Sequence, residues 1–288
     1  MTSQGFYADM SDSELVQASL QGTKEALQHL ILRHQAFIYN VAWKMVLNPQ
    51  DAEDVTQEVF IKAITNLAHF EGRSAFRTWL YRIAFNHILA MKKQRMEEVV
   101  VDFSEYFEGL DNLPTIALTT LEEQELQETI DDVKISCTAG MLLCLDREQR
   151  FVYILGAIFE IDSKLGGEIL NISRENFRQK LSRARRDLHE WMNNQCGLVN
   201  TANPCRCSKK TKGFIQAGWV HPETLRFNAH YTRRIYQMIE RNADDDCEKI
   251  DELYEQIYQH HPFQESEQVK ILVEQVLQSE VIRTMFAL

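Results

Sequence analysis

Between Phe70 and Arg95 the chain reads FEGRSAFRTWLYRIAFNHILAMKKQR, and no other stretch narrows its structural options so far. Phe76, Trp79, Leu80, Ile83, Ala84, His87, Ile88 and Met91 recur at the i, i+3, i+4, i+7 spacing of a helix with one broad buried face. Thr78, Tyr81, Phe85 and Leu89 then fall together on the opposite face, flanked by Arg77, Arg82, Lys92, Lys93 and Arg95. Rings set among cations, with Glu71 the lone acid of the stretch, suit a single-stranded nucleic acid. Bases stack on the rings while Arg and Lys follow the phosphates. A plain surface helix carrying two stray aromatics fits this stretch, taken alone, about equally well.

Net charge sharpens the choice only once it is located. The 288 residues carry −11, which argues against a nucleic-acid binder. Yet residues 71–96 hold six Lys or Arg against one acid, and residues 97–132 hold twelve acids with no Lys or Arg. Local fields steer binding, so the global sign is a poor guide. The length suggests about two domains, and 44% hydrophobic residues suffice for real cores. The start, MTSQGFYADMSDSE, lacks the basic and apolar regions of a signal peptide. The longest apolar run, Phe151 to Phe159, is too short for a membrane span. Six cysteines in a chain of this size do not make a secreted disulfide scaffold. A reducing, cytoplasmic protein is expected.

Taken in order, the chain reads as helices. Ser11 or Asp12 caps the first, with Glu14 in its opening turn. A second runs from Thr23 or Lys24 to Val46, and NPQD at Asn48–Asp51 turns into a third, Asp51 to Leu67. In that helix Ala52, Val55, Val59, Phe60, Ala63, Ile64 and Leu67 face inward, leaving Asp54, Gln57, Glu58, Ile61 and Lys62 outside. LAHFEGRS, Leu67 to Ser74, is a loop. After Met96 the acidic segment, broken by Gly109 and Pro114, reads as a solvated linker with a helix over Leu121–Asp132. Asp146 caps a helix carrying Phe151, Val152, Ile154, Leu155 and Ile158. Ser163–Leu170, a turn at Asn171–Ile172 and Ser173–Trp191 then have a helix-turn-helix layout, whose second helix enters the major groove by its N-terminal end. With Phe177, Leu181, Ala184 and Leu188 inward, Arg174, Glu175, Asn176, Arg178 and Gln179 reach bases; Lys180, Arg183, Arg185 and Arg186 suit phosphates.

Two motifs resemble a known family. DAEDVTQEVFIKAI (Asp51 to Ile64) and FEGRSAFRTWLYRIAFN (Phe70 to Asn86) resemble the second conserved region of bacterial RNA polymerase sigma factors, most closely the compact extracytoplasmic-function (ECF) group. ISRENFRQKLSRARRDL resembles their fourth conserved region, which reads the −35 element. The resemblance implies an all-α protein: a region 2 helical bundle over residues 1–97, an acidic linker over 98–135, a region 4 helix-turn-helix over 136–194 and a mostly helical extension over 195–288. It implies docking of Asp54, Gln57 and Glu58 on core RNA polymerase, through the β′ clamp and β, and promoter DNA as the second partner. It assigns −10 contacts to His69, Phe70, Arg73, Arg77, Tyr81, Arg82, Phe85 and Asn86. The 67–74 loop is expected to pocket a flipped base, with Glu71 and Ser74 contributing. An anti-sigma factor is a further partner to expect, and no cofactor is required. Phe85, Ala90 and Met91 depart from the family's usual residues, and so does the Gly166–Gly167 pair, where each glycine costs a helix about 1 kcal/mol.

The resemblance ends near Trp191. Beyond it, Cys196, Cys205 and Cys207 stand as C-x8-C-x-C beside Asn203-Pro204. Three cysteines are one ligand short of a structural zinc site; His189, His221, Cys247 and His260 are candidates for a fourth, none at a diagnostic spacing. Zinc or another metal, thiol redox chemistry and inert packing all remain open. GFIQAGWVHPETLRF looks loop-like or short-stranded, and helices are expected over Phe227–Arg241, Glu248–Gln259 and Glu265–Phe286. The chain shows no Gly-rich phosphate loop, HExxH or nucleophile elbow, so an enzyme is not expected. The competing reading is a stand-alone helix-turn-helix regulator with a cysteine-based sensing tail.

Overall fold

The structure, a computed structural model, describes residues 3–100 and 102–223, together with Ile271 and Val276. The three tail helices expected beyond residue 226, with Cys247 and His260, lie outside the described residues. Among the described residues every regular element is helical. They fall into two compact units, one holding residues 3–94 and 163–176, the other residues 95–100, 102–162 and 177–223.

The first unit opens with α1 (Ser3–Ala8), α2 (Asp12–Leu20), α3 (Lys24–Val46) and α4 (Pro49–Thr65), then a 3-10 turn at Leu67–His69 and α5 (Phe76–Ala90). Ser11 starts α2 with a capping box: its hydroxyl accepts the Glu14 N–H, and its own N–H is donated to the Glu14 carboxylate at 2.7 Å. Asp12 ties α2 to α3 through Arg33 and His34, both at 2.8 Å. The turn from α3 to α4 needs Leu47 in the left-handed region, φ 52°. Asn48 then caps α4 by accepting the Asp51 N–H, and Pro49 occupies the first turn, where no N–H is required. Leu15, Leu27, Leu30, Ile38, Val59, Phe60, Leu80 and Ile88 close the core between α2, α3, α4 and α5. Each such side chain contributes about 1.5–3 kcal/mol. One residue violates the pattern. Lys44 on α3 is 1% exposed, and its Nζ has no hydrogen-bond partner, lying 5.4 Å from the Trp43 ring centre.

The second unit begins with α6 (Arg95–Val99), α7 (Phe103–Asn112), α8 (Thr120–Glu125), α9 (Gln127–Leu143) and α10 (Arg147–Tyr153), which a π-helical turn extends over Ile154–Ile158. α11 (Ser163–Leu170) returns to the first unit; α12 (Arg174–Gln195) starts there and runs on through the second, which α13 (Cys207–Gln216) completes. The acidic segment after Met96 is folded, unlike the extended linker expected from its charge. Its apolar residues explain why: Phe103 and Phe107 stack on Trp191 at ring distances of 5.6 and 5.8 Å, and Leu110 is buried. Lys210 of α13 donates to the carbonyls of Leu110 and Leu113, capping the end of α7. α9 runs unbroken past residue 135. Glu97 anchors the start of the unit, taking two hydrogen bonds from Arg147 and one from the buried Arg150, whose other nitrogen closes onto the Leu143 and Leu145 carbonyls. The stretch expected to be loop-like or stranded supplies the last turn of α13 through Gly213–Gln216.

Candidate polymerase and nucleic-acid interface

α4 presents its acids as its period requires. Val55, Val59, Phe60, Ala63 and Ile64 are buried, Asp54 and Glu58 are exposed, and Gln57 is half-buried. Gln57 and Glu58 lie one turn beyond Asp54, so carboxylate, amide and carboxylate share a single edge.

The loop that follows is open. His69, Glu71 and Arg73 are exposed, Gly72 takes φ 71°, and Arg73 pairs with Glu71 at 2.7 Å. Phe70 is half-buried, with its ring 5.6 Å from Phe76 and 5.4 Å from Trp79. Ser74 is half-buried beside it.

α5 corrects the face assigned from periodicity. Tyr81 and Phe85 are 8% and 7% exposed, and Thr78 is 2% exposed. Tyr81 lies flat on Phe37 of α3 at 4.1 Å, with His34 edge-on. Burial pushes the Tyr81 hydroxyl up to about 12 and holds His34 below its usual range against the pull of Asp12. Neither ring can receive a base without leaving the core. The residues left at the surface are Arg77, Asn86, Leu89 and Ala90, with Trp79, Arg82, Ile83 and His87 half-exposed. Trp79 was assigned to the buried face by spacing. Its half-exposed ring instead extends the Phe70 edge into an aromatic ledge beside the loop, and the Phe70–Trp79 pair is what periodicity missed. Arg82 donates to the Glu168 carbonyl in the last turn of α11, where a cation meets the negative helix end. His87 faces Lys62 at 2.6 Å and is held below its usual value by burial and that lysine, so a neutral ring accepts from the ammonium.

The α11–α12 turn forms as its residues dictate. Asn171 is left-handed at φ 56°, and Ser173 accepts the Asn176 N–H at 3.1 Å. Gly167 is a requirement of this turn as well as a cost to the helix, because a Cβ there would sit 2.9 Å from the Ile172 carbonyl oxygen. Along α12, Phe177, Leu181, Ala184 and Leu188 are buried. Arg174, Glu175, Asn176, Arg178, Gln179, Arg183 and Arg186 are exposed and Arg185 is half-buried. Lys180 is paired with Glu148 at 3.1 Å.

The described cysteines are unbridged thiols, and Cys196 is buried. Of the candidate fourth ligands, His189 is buried against Tyr153 and His221 is exposed. Among the described residues no three His, Cys, Asp or Glu side chains converge on one metal-binding point. Among them, too, no helix is long and apolar enough to cross a membrane.

Residues 30–97, which span α3 to α6, match the family described as Sigma-70 region 2. An RNA polymerase sigma-H factor of Pseudomonas aeruginosa is 41% identical over 103 residues, covering 34% of this chain and 53% of that protein. The ECF RNA polymerase sigma factor SigW of Bacillus subtilis is 27% identical over 173 residues, 60% of this chain and 91% of the relative. An ECF sigma-E factor of Escherichia coli is 42% identical over 77 residues, covering 27% of this chain and 40% of that protein. The chain thus spans about half the length of the first of these relatives and nearly all of SigW. The first unit carries a sigma-70 region 2. Over that part the chain is similar to RNA polymerase sigma factors of the ECF group.

Proposed function

We propose that this chain binds core RNA polymerase and directs it to promoters, where it reads the −10 and −35 elements and assists strand opening. The observation that carries the reading is the surface of the region 2 unit: exposed Asp54 and Glu58 on one helix, and an open loop with Arg73, Arg77 and a Phe70–Trp79 ledge on the next. The acidic edge of α4 is the docking surface for the polymerase clamp. The loop holds an unpaired base, with Phe70 and Trp79 as the stacking surface and His69, Glu71, Arg73 and Ser74 as hydrogen-bonding groups. Arg77 and Asn86 continue the contact along the strand. On α12, Arg174, Glu175, Asn176, Arg178 and Gln179 read base edges, while Arg183 and Arg186 take phosphates.

The test is co-purification with core polymerase followed by run-off transcription from a promoter selected out of a random library by the assembled enzyme. The expected result is transcription that depends on this chain. Tight binding to a palindromic duplex without polymerase, and none with it, would instead identify a stand-alone helix-turn-helix regulator.

A further inference from the structure

The acidic segment between α5 and α9 has no Lys or Arg from 97 to 132, so its twelve acids repel one another and favour an extended chain. It is folded all the same, and α13 of the extension holds its middle. The Lys210 side chain, 7% exposed, donates to the carbonyls of Leu110 at 2.7 Å and Leu113 at 2.8 Å. On either side of it, the Lys209 carbonyl accepts the Ile116 N–H at 2.8 Å, and Lys212 pairs with Glu122 at 2.6 Å. Backbone meets backbone at Gly213, where a Cβ would fall 2.8 Å from the Pro114 carbonyl oxygen. Further hold comes from Glu97 on Arg147 and Arg150, and from Phe103 and Phe107 on Trp191. All of these contacts lie within the second unit.

We infer that residues 95–126 are a tether stowed on the second unit, that α13 is the clasp holding it, and that the tether is released in the initiating complex. The inference rests on the reading of this chain as a factor that contacts two promoter elements at once. Within the first unit α11 packs against α5, with Arg82 donating to the Glu168 carbonyl. The start of the helix-turn-helix and the −10-reading helix are therefore neighbours, and packed helices lie about 10 Å apart. The −10 and −35 elements are about 25 base pairs apart, roughly 85 Å at about 3.4 Å per pair. One arrangement cannot serve both elements, so α11 has to leave α5 and the joining chain has to lengthen. Released and extended, residues 95–126 span up to about 100 Å at roughly 3.3 Å per residue. Coiled into α7, ten of those residues cover only about 15 Å. The two states are opposed by the segment's own chemistry: self-repulsion favours the long form, and Lys210 and Lys212 favour the short one. Both lysines belong to the extension, so moving α13 changes the reach of the chain without touching either DNA-reading surface.

Lys210 reports the clasp, because its amine is buried only while the segment lies on it, and the exposed Lys209 beside it is the internal reference. The experiment acetylates lysines briefly in the full chain, free and assembled with core polymerase on promoter DNA, and reads each site by peptide mass spectrometry. In the free chain Lys210 should react at least about tenfold more slowly than Lys209, and in the assembled complex within about twofold of it. Gly213→Leu, whose side chain meets the Pro114 carbonyl, should expose Lys210 in the free chain and speed amide exchange over residues 103–122. If that variant does not fold, Glu122→Lys sets two ammonium groups against each other on a partly exposed pair and should do the same. Lys210 as reactive as Lys209 in the free wild type, Lys210 still protected in the assembled complex, or a protected Lys210 in the folded variants would each overturn the clasp. Failure of the chain to co-purify with core polymerase would instead fell the parent reading, and the variants, tested without polymerase, judge the clasp separately.

Discussion

Replacing Lys44 by Met should stabilise the region 2 unit, by an amount that depends on pH. The amine is fully buried with no hydrogen-bond partner, and burial alone pulls it from an ordinary 10.5 down to about 7. At about 1.4 kcal/mol per pH unit, that fall makes the charged amine cost the fold up to about 5 kcal/mol. The sign follows from proton counting. Below pH 7 both folded and unfolded chains carry the proton, and the full cost is present. Between 7 and 10.5 the unfolded chain binds more protons than the folded one, so native stability rises with pH; above 10.5 the difference is gone. Methionine has a similar length, is flexible and needs no partner, so Lys44→Met removes the charge with little repacking. The assay is urea unfolding of wild type and variant at pH 6 and pH 9, followed by tryptophan fluorescence, with Trp43 buried directly beside the amine. The variant should be more stable by several kcal/mol at pH 6, and its advantage should shrink by about 3 kcal/mol at pH 9. An advantage equal at both pH values would refute the titration argument. A variant less stable at both would mean that the ammonium has a partner the fold depends on.

Four further outcomes are expected. Asp54→Arg with Glu58→Arg should abolish co-purification with core polymerase while the far-ultraviolet circular dichroism stays native, because both side chains are exposed; retained binding would remove the docking assignment. Trp79→Ala should slow promoter opening yet recover on a pre-melted bubble less well than Tyr81→Phe, since base stacking is worth about 1–3 kcal/mol; Tyr81→Ala should act by unfolding, costing about 3–5 kcal/mol in a thermal melt. Arg178→Ala should lose about 1–3 kcal/mol on one base pair of the −35 element, whereas Arg183→Ala should weaken all sequences alike and lower the salt slope by about one; uniform loss in both would make Arg178 a phosphate contact. Gly167→Ala should cost about 1–3 kcal/mol and loosen the turn, because its methyl meets a backbone carbonyl that cannot rotate away; a melting temperature equal to wild type would show that the turn adapts.

Local chemistry was enough for much of this protein. The span of α3, the Ser11 and Asp146 caps, the left-handed Asn171 and the inward stripe of α12 depend on residues a few positions apart, so they are legible without the fold. The two region 2 motifs carry the resemblance for the same reason. α5 is different because apolar residues surround it. Periodicity then sets the helix but not which side faces in, and the choice of Tyr81 and Phe85 over Trp79 depends on Phe37 and His34 of α3 being there to meet them. The acidic segment was misread because charge was visible along the chain, whereas Trp191 and Lys210, which make its folding favourable, are far away in sequence.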